Sequence, residues 1–282
     1  MALETVASGF AFVEGPRWRN GALWLSDMHD HKVLRVVPGD EPELVCHVPG
    51  QPSGLGWLPD GDLLVVSMLD RTVMRRTKTG ELVLHANLSG LIDKRANDMV
   101  VNGEGVAYVG NFGFDLDEEE ARVPTVLVCV DPDGRARKAA DGLVFPNGMA
   151  ITPGGGTLIV AETFAGRLAA FDIDADGALS NHRIWAALPE GVCPDGIALD
   201  EAGGVWVASP LTAACLRVTE GGGVTNIIDV GRKAAIACAL GGEDRRTLFI
   251  STAETVDPDL CRQKRSAAIV AAKVEIPGVG AP

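Results

Sequence analysis

The 282-residue chain has no run of 18 consecutive apolar residues, which leaves no hydrophobic helix long enough to cross a bilayer. It is also short of bases. Only 25 Lys and Arg stand against 38 Asp and Glu, for a formal charge of −13 and a pI near 4.8. Without a basic face the chain cannot neutralise phosphates, so nucleic acid is not an expected partner. The six cysteines (46, 129, 193, 215, 238 and 261) form no CxxC pair and no framework spacing, and the expectation is reduced thiols in a cytoplasm. The opening residues, MALETVASGFAFVEG, lack a basic segment followed by an apolar one, so no signal peptide is expected. No Pro/Ser-rich linker divides the chain, and residues 1–282 are expected to form a single domain. Charged residues make up only 22% and glycines number 34, which favours many short strands and tight turns over long solvated helices.

What is present is a repeat. Six copies of one frame run along the chain: FVEGPRW, QPSGLGW, RANDMVV, FPNGMAI, CPDGIAL and AAIACAL. The position that varies most in chemistry holds Glu14, Ser53, Asn97, Asn147, Asp195 and Ile236, at spacings of 39, 44, 50, 48 and 41 residues. Each copy continues into a turn (RNG, PDGD, GEG, PGGG, EAGG, EDRR) and a second apolar run (ALWLSD, LLVVSM, AYVGNF, LIVAET, VWVASP, LFISTA). Short β-branched and aromatic runs bounded by such turns read as strands. Further strands follow at 32–37, 72–77, 125–130 and 167–172. Three or four strands per ~45 residues, six times over, is the arithmetic of an all-β, six-bladed β-propeller. Residues before Phe10 carry no frame and are expected to supply the outer strand of the last blade.

In such a fold the innermost strand of each blade lines an axial channel, and the frame residue opens that strand. Glu14, Asn97, Asn147 and Asp195 then converge at one mouth from four blades. They make a hard-oxygen set suited to Ca²⁺, Mn²⁺ or Mg²⁺, and a deep cluster of unpaired carboxylates is costly without a cation. The competing reading is that Asn-Gly and Asp-Gly are simply turn dipeptides. The second runs end at Asp27, Ser67, Asn111, Glu162, Ser209 and Thr252, on the same face; of these, Asn111 and Glu162 are candidates to orient the ligands.

At these residues the chain resembles the senescence marker protein/gluconolactonase family of six-bladed propellers, which also takes in luciferin-regenerating enzymes. The carriers are EGP (14–16), RAND (95–98), FPNG (145–148) and CPDG (193–196), supported by AYVGNFGFD (107–115) and LIVAETFAGRL (158–168). The resemblance implies one central divalent metal ion, calcium first with Zn²⁺, Mn²⁺ or Mg²⁺ as alternatives. Its ligands would be Glu14, Asn147 and Asp195, with Asn97 able to join them. It implies hydrolysis of a small-molecule sugar lactone, with Arg95 and Asn97 on the substrate and Asp195 as general base. The stretch FGFDLDEEEARVP departs from the substrate loop of animal gluconolactonases, which bears on which lactone is used. Calcium-dependent phosphotriesterase-like propellers such as diisopropyl-fluorophosphatase share the ligand set, and a metal-stabilised binding propeller without turnover is the reading from another class.

Four further features stand out. Alternation in an extended Asp27-Met28-His29-Asp30-His31 would place Asp27, His29 and His31 together, either as a metal cluster or as a polar loop. The acidic run Asp115-Leu116-Asp117-Glu118-Glu119-Glu120 reads as a solvated loop or a lid. Arg262, Lys264 and Arg265 read as a surface loop or as recognition of an acidic substrate. Cys193 reads as a small apolar filler beside Asp195.

Overall fold

The computed structural model describes residues 3–116 and 121–280, and these form six four-stranded antiparallel sheets. The innermost strands are Val13–Arg19, Pro52–Trp57, Ala96–Val101, Pro146–Ile151, Ile197–Leu199 and Ala234–Gly241. Each touches the innermost strands of the blades on either side, so the six close into a ring around an axis. The fold is a six-bladed β-propeller. The ring closes as expected: Glu4–Phe10 is the outer strand of the last blade, with Glu4 opposite Ala271 and Phe10 opposite Ala267.

Side chains that alternate along the strands fill the wedges between blades. Val33, Leu55 and Val65 seal blades one and two, while Tyr108, Leu127, Met149 and Val160 seal blades three and four. Each apolar side chain taken out of water in this way contributes ~1.5–3 kcal/mol, and Tyr108 satisfies its hydroxyl on the Gly177 carbonyl at 3.0 Å.

The frame has a structural reason that the turn reading misses. In five of the six blades the ladder between first and second strands slips at or beside the frame residue: between Glu14 and Arg17, Pro52 and Leu55, Ala96 and Met99, Pro146 and Met149, and Ala235 and Ala237. Such bulges bend a strand and re-aim a side chain. The glycine that follows is needed for close approach. A Cβ on Gly148 would lie 2.5 Å from the Asp195 carbonyl oxygen, and one on Gly196 would lie 2.4 Å from the Cβ of Ala237. Asn147-Gly148 and Asp195-Gly196 therefore lie where two blades meet.

The end of the channel away from the frame residues holds an apolar cavity of about 100 Å³ lined by Leu55, Trp57, Met149, Ile151 and Leu240. The chain's last described residues cross it, with the Gly278 N–H on the Arg245 carbonyl at 2.9 Å. One helix was not anticipated. Pro258–Lys264 follows the second strand of blade six, capped by Asp257, whose carboxylate accepts the Leu260 N–H at 2.8 Å.

Candidate metal centre

Glu14, Asn97, Asn147 and Asp195 are all buried at the channel mouth, and they interact. Burial pushes the Glu14 carboxyl well above its ordinary range; Asp195 and Asp98 add to this, while the Gly15 N–H and Arg17 oppose it. Burial likewise pushes Asp195 up, with Asp98 adding and a hydrogen bond from Asn147 opposing. Two carboxylates pushed up by burial and by neighbouring acids in a dry site want a positive charge between them.

Hydrogen bonding shows which atoms remain to supply it. Asn97 gives its Nδ2 to the Pro146 carbonyl at 3.4 Å, and Asn147 gives its Nδ2 to Thr163 Oγ1 at 3.2 Å. Both amide nitrogens face protein acceptors, and the amide oxygens accept no hydrogen bond from described residues. Among the described residues, Asp195 Oδ1 is sealed from solvent without a hydrogen-bond partner. What remains is two carboxylates and two amide oxygens, without imidazole or thiolate. That set fits a hard divalent cation such as calcium and suits zinc poorly. Among the described residues no group of three or more His, Cys, Asp and Glu is placed to hold a metal, so any ion here depends on the asparagines.

Of the other two frame positions, Ser53 presents a buried Oγ without a partner and Ile236 is apolar. A third acid, Asp98, escaped the sequence reading. It sits where four other frames carry glycine, and it pairs with Arg17 of blade one at 2.8 Å; Arg17 also holds the Met99 carbonyl at 2.6 Å. This partly buried pair ties blade one to blade three beside the ring.

The ends of the second strands prove to be positioning groups for the chain entering each blade. Asp27 accepts the N–H groups of Ala11 and Phe12 at 3.1 and 2.9 Å, Glu162 accepts that of Val144 at 2.8 Å, and Ser209 Oγ accepts that of Cys193 at 3.3 Å. Glu162 is also held by Arg167 at 2.6 Å, and Asn111 bonds the Val126 carbonyl at 2.7 Å. They set the local backbone, and among the described residues they make no hydrogen bond to the four oxygen donors. Burial pushes the Cys193 thiol up, in keeping with a filler.

The Asp27–His31 stretch is not extended. A single 3-10 turn over Met28–Asp30 breaks the alternation, and the chain leaves through His31 at φ 58°. Asp27 goes to backbone, His31 Nδ1 meets the Pro49 carbonyl at 2.8 Å, and only His29 turns in against Phe12. The three therefore make no metal cluster. Burial first, then the positive Arg262, His31 and Arg95, pushes the His29 imidazole down from 6.5 to about 4. The unfolded chain takes up a proton near pH 6.5 that the folded chain refuses until about 4, so stability present above pH 6.5 is lost as pH falls through that window. The loss should be about 1–3 kcal/mol. Denaturant midpoints at pH 7 and 5 check this: His29→Gln is expected to flatten the difference, and an undiminished difference would refute it.

Arg95 lies two residues before Asn97, with its guanidinium 5.9 Å from the Phe112 ring centre and 3.9 Å from Asp115. It therefore stands at the lip of the mouth, above Asn97. Arg262 pairs with Asp259, Lys264 reaches Glu254 at 3.8 Å, and Arg265 holds Asp30 at 3.0 Å, so this basic group is engaged within its own corner. Residues 117–120 of the acidic run lie outside the described residues.

Comparison with known proteins agrees with this architecture. The chain is 26% identical over 280 residues to a 6-deoxy-6-sulfogluconolactonase of Pseudomonas putida, covering 95% of this chain and 93% of that one. It is 26% identical over 250 residues to a pentonolactonase of Haloferax volcanii, covering 85% and 81%. The structure of regucalcin from Agrobacterium tumefaciens, a calcium-binding protein, superposes with a TM-score of 0.81 at 21% identity, over 98% of this chain and 96% of that one. No helix among the described residues is long and apolar enough to cross a membrane. Residues 12–254 match the model of the SMP-30/Gluconolactonase/LRE-like region, and the chain belongs to that family.

Proposed function

We propose that the protein is a metal-dependent lactonase that opens a sugar lactone to its hydroxy acid. The observation that carries this is the ring of four buried oxygen-bearing side chains in which Asp195 Oδ1 has no partner. Glu14, Asn147 and Asp195, joined by Asn97, would hold one divalent cation, calcium first. When bound, the cation supplies a Lewis acid for the lactone carbonyl and makes nearby water more acidic.

The chain's own groups do the rest. Asp195 accepts a proton from the water that adds to the carbonyl carbon. The ring C–O bond then breaks, and the departing alkoxide takes that proton to become an alcohol, leaving a carboxylic acid that releases its remaining proton to solvent. Asn97 and Arg95, on the same strand approach, orient the ring oxygens and meet the charge that develops on the carbonyl oxygen. The names of the two curated relatives favour a lactone over an organophosphate ester. Six free cysteines agree with a cytoplasmic setting.

The test is metal analysis followed by assays on panels of lactones and organophosphates, with and without chelator. One divalent ion per chain is expected, with lactone turnover that chelator abolishes. Calcium at a hundred times its Kd should add ~2.7 kcal/mol of stability, raising the melting temperature by about 5–10 °C over the chelated protein. Bound metal with no lactone turnover would point to a binding propeller, and turnover unaffected by chelator would remove the metal from the reaction.

A further inference from the structure

His29 is a buried group near the mouth that the metal reading does not use. The 3-10 turn over Met28–Asp30 delivers it, and the turn is fixed on both sides. The Met28 N–H bonds the Phe12 carbonyl at 2.8 Å, and Asp30 is held by Arg265 at 3.0 Å and Lys32 at 2.6 Å. The imidazole, only 7% exposed, lies with its ring centre 5.2 Å from that of Phe12. Phe12 precedes Glu14 by two residues, as Arg95 precedes Asn97, so both lie on the chain that leads into a donor-bearing strand.

Neither ring nitrogen has a hydrogen-bond partner among the described residues, and of the two only Nδ1 is sealed from solvent. A sealed N–H without an acceptor is rarer and costlier than a sealed lone pair. The proton therefore belongs on Nε2, the open nitrogen. A neutral imidazole, locked against an aromatic ring with an unengaged N–H at the lip, is a rigid donor waiting for an oxygen.

We propose that His29 is a substrate-binding residue whose Nε2–H donates to a hydroxyl of the lactone held over Glu14 and Asp195, so that the site selects polyhydroxylated lactones over unsubstituted ones. This rests on the lactonase reading. A single neutral hydrogen bond of this kind is worth about tenfold in selectivity.

The experiment compares wild type, His29→Phe and His29→Gln on D-glucono-1,5-lactone and on δ-valerolactone, with calcium present. Phe keeps the ring against Phe12 and removes both nitrogens; Gln returns an amide N–H near the place of Nε2. For His29→Phe, kcat/KM on the gluconolactone is expected to fall ~10-fold, mostly through KM, with δ-valerolactone within about twofold. His29→Gln should recover most of the loss. Equal losses on both lactones, or no loss on either, would overturn the assignment while leaving the lactonase reading standing. Wild type inactive on every lactone would sink that reading instead. The inference then stands or falls on a second readout: sodium gluconate added to the calcium-loaded protein should shift the ¹⁵N resonance of His29 Nε2. An unmoved resonance overturns the proposal whatever the turnover.

Discussion

Asp195→Asn is expected to lower lactone turnover roughly 10²–10⁴-fold and, in the chelated protein, to raise the melting temperature by about 2–6 °C. The two effects have one cause. Asp195 and Glu14 are buried together, each pushed up by burial and by neighbouring acids, and Asp195 Oδ1 has no protein partner. Removing one charge from this pair relieves ~1–2 kcal/mol of repulsion and desolvation when no cation is present. The amide keeps the shape, so the blades are not disturbed. It also removes the proton acceptor and half of the charge that would hold the ion, so added calcium should stabilise the variant far less than the wild type. Thermal unfolding with chelator and with calcium, alongside kcat, measures all three. Wild-type-like kcat would sink Asp195 as the base. A chelated variant that melts below the chelated wild type would sink the claim that the carboxylates oppose each other.

Gly148→Ala should cost about 3 kcal/mol or more, although the position is buried in a strand that would ordinarily welcome alanine. Its Cβ would lie 2.5 Å from the Asp195 carbonyl oxygen, 2.6 Å from the Ile197 nitrogen and 2.7 Å from the Gly196 Cα. All three are backbone atoms of the next blade, so no side chain can swing away; blades four and five must part. Because the displaced segment carries Asp195, calcium affinity should fall with stability. Gly156→Ala is the control. A Cβ there meets nothing within 4 Å, and the change should stay within about 0.5 kcal/mol. Denaturant midpoints for the two variants that agree would show that the frame glycine is not an inter-blade spacer.

The repeat made the propeller legible, because six copies of one frame can be seen without knowing where any strand packs. The ring of oxygen donors followed from the same register, since the frame residue occupies an equivalent place in every blade. What the frame could not reveal was the partner of a residue far away in sequence. Asp98 looks like a departure from glycine until Arg17, 81 positions earlier, is seen to neutralise it. The glycine itself invites a turn reading because Asn-Gly and Asp-Gly do favour turns; only the closeness of the next blade shows its other use. The alternation expected at Asp27–His31 failed because one 3-10 turn rotates His29 away from its neighbours. Helix Pro258–Lys264 did have a local signal, Asp257-Pro258 as cap and first turn, but seven residues inside an all-β repeat are easily passed over.

Closing the ring with Glu4–Phe10 has a mechanical consequence. That strand runs antiparallel to Ala267–Lys273, and its first residue lies opposite Ala271, close to where the other strand ends. Force applied between Glu4 and Lys273 therefore loads the hydrogen bonds between these strands one after another from the same end, as in opening a zip. The propeller should yield at that seam at low force, with the five other blades still folded, whereas a pull applied across a single blade must shear a whole ladder at once.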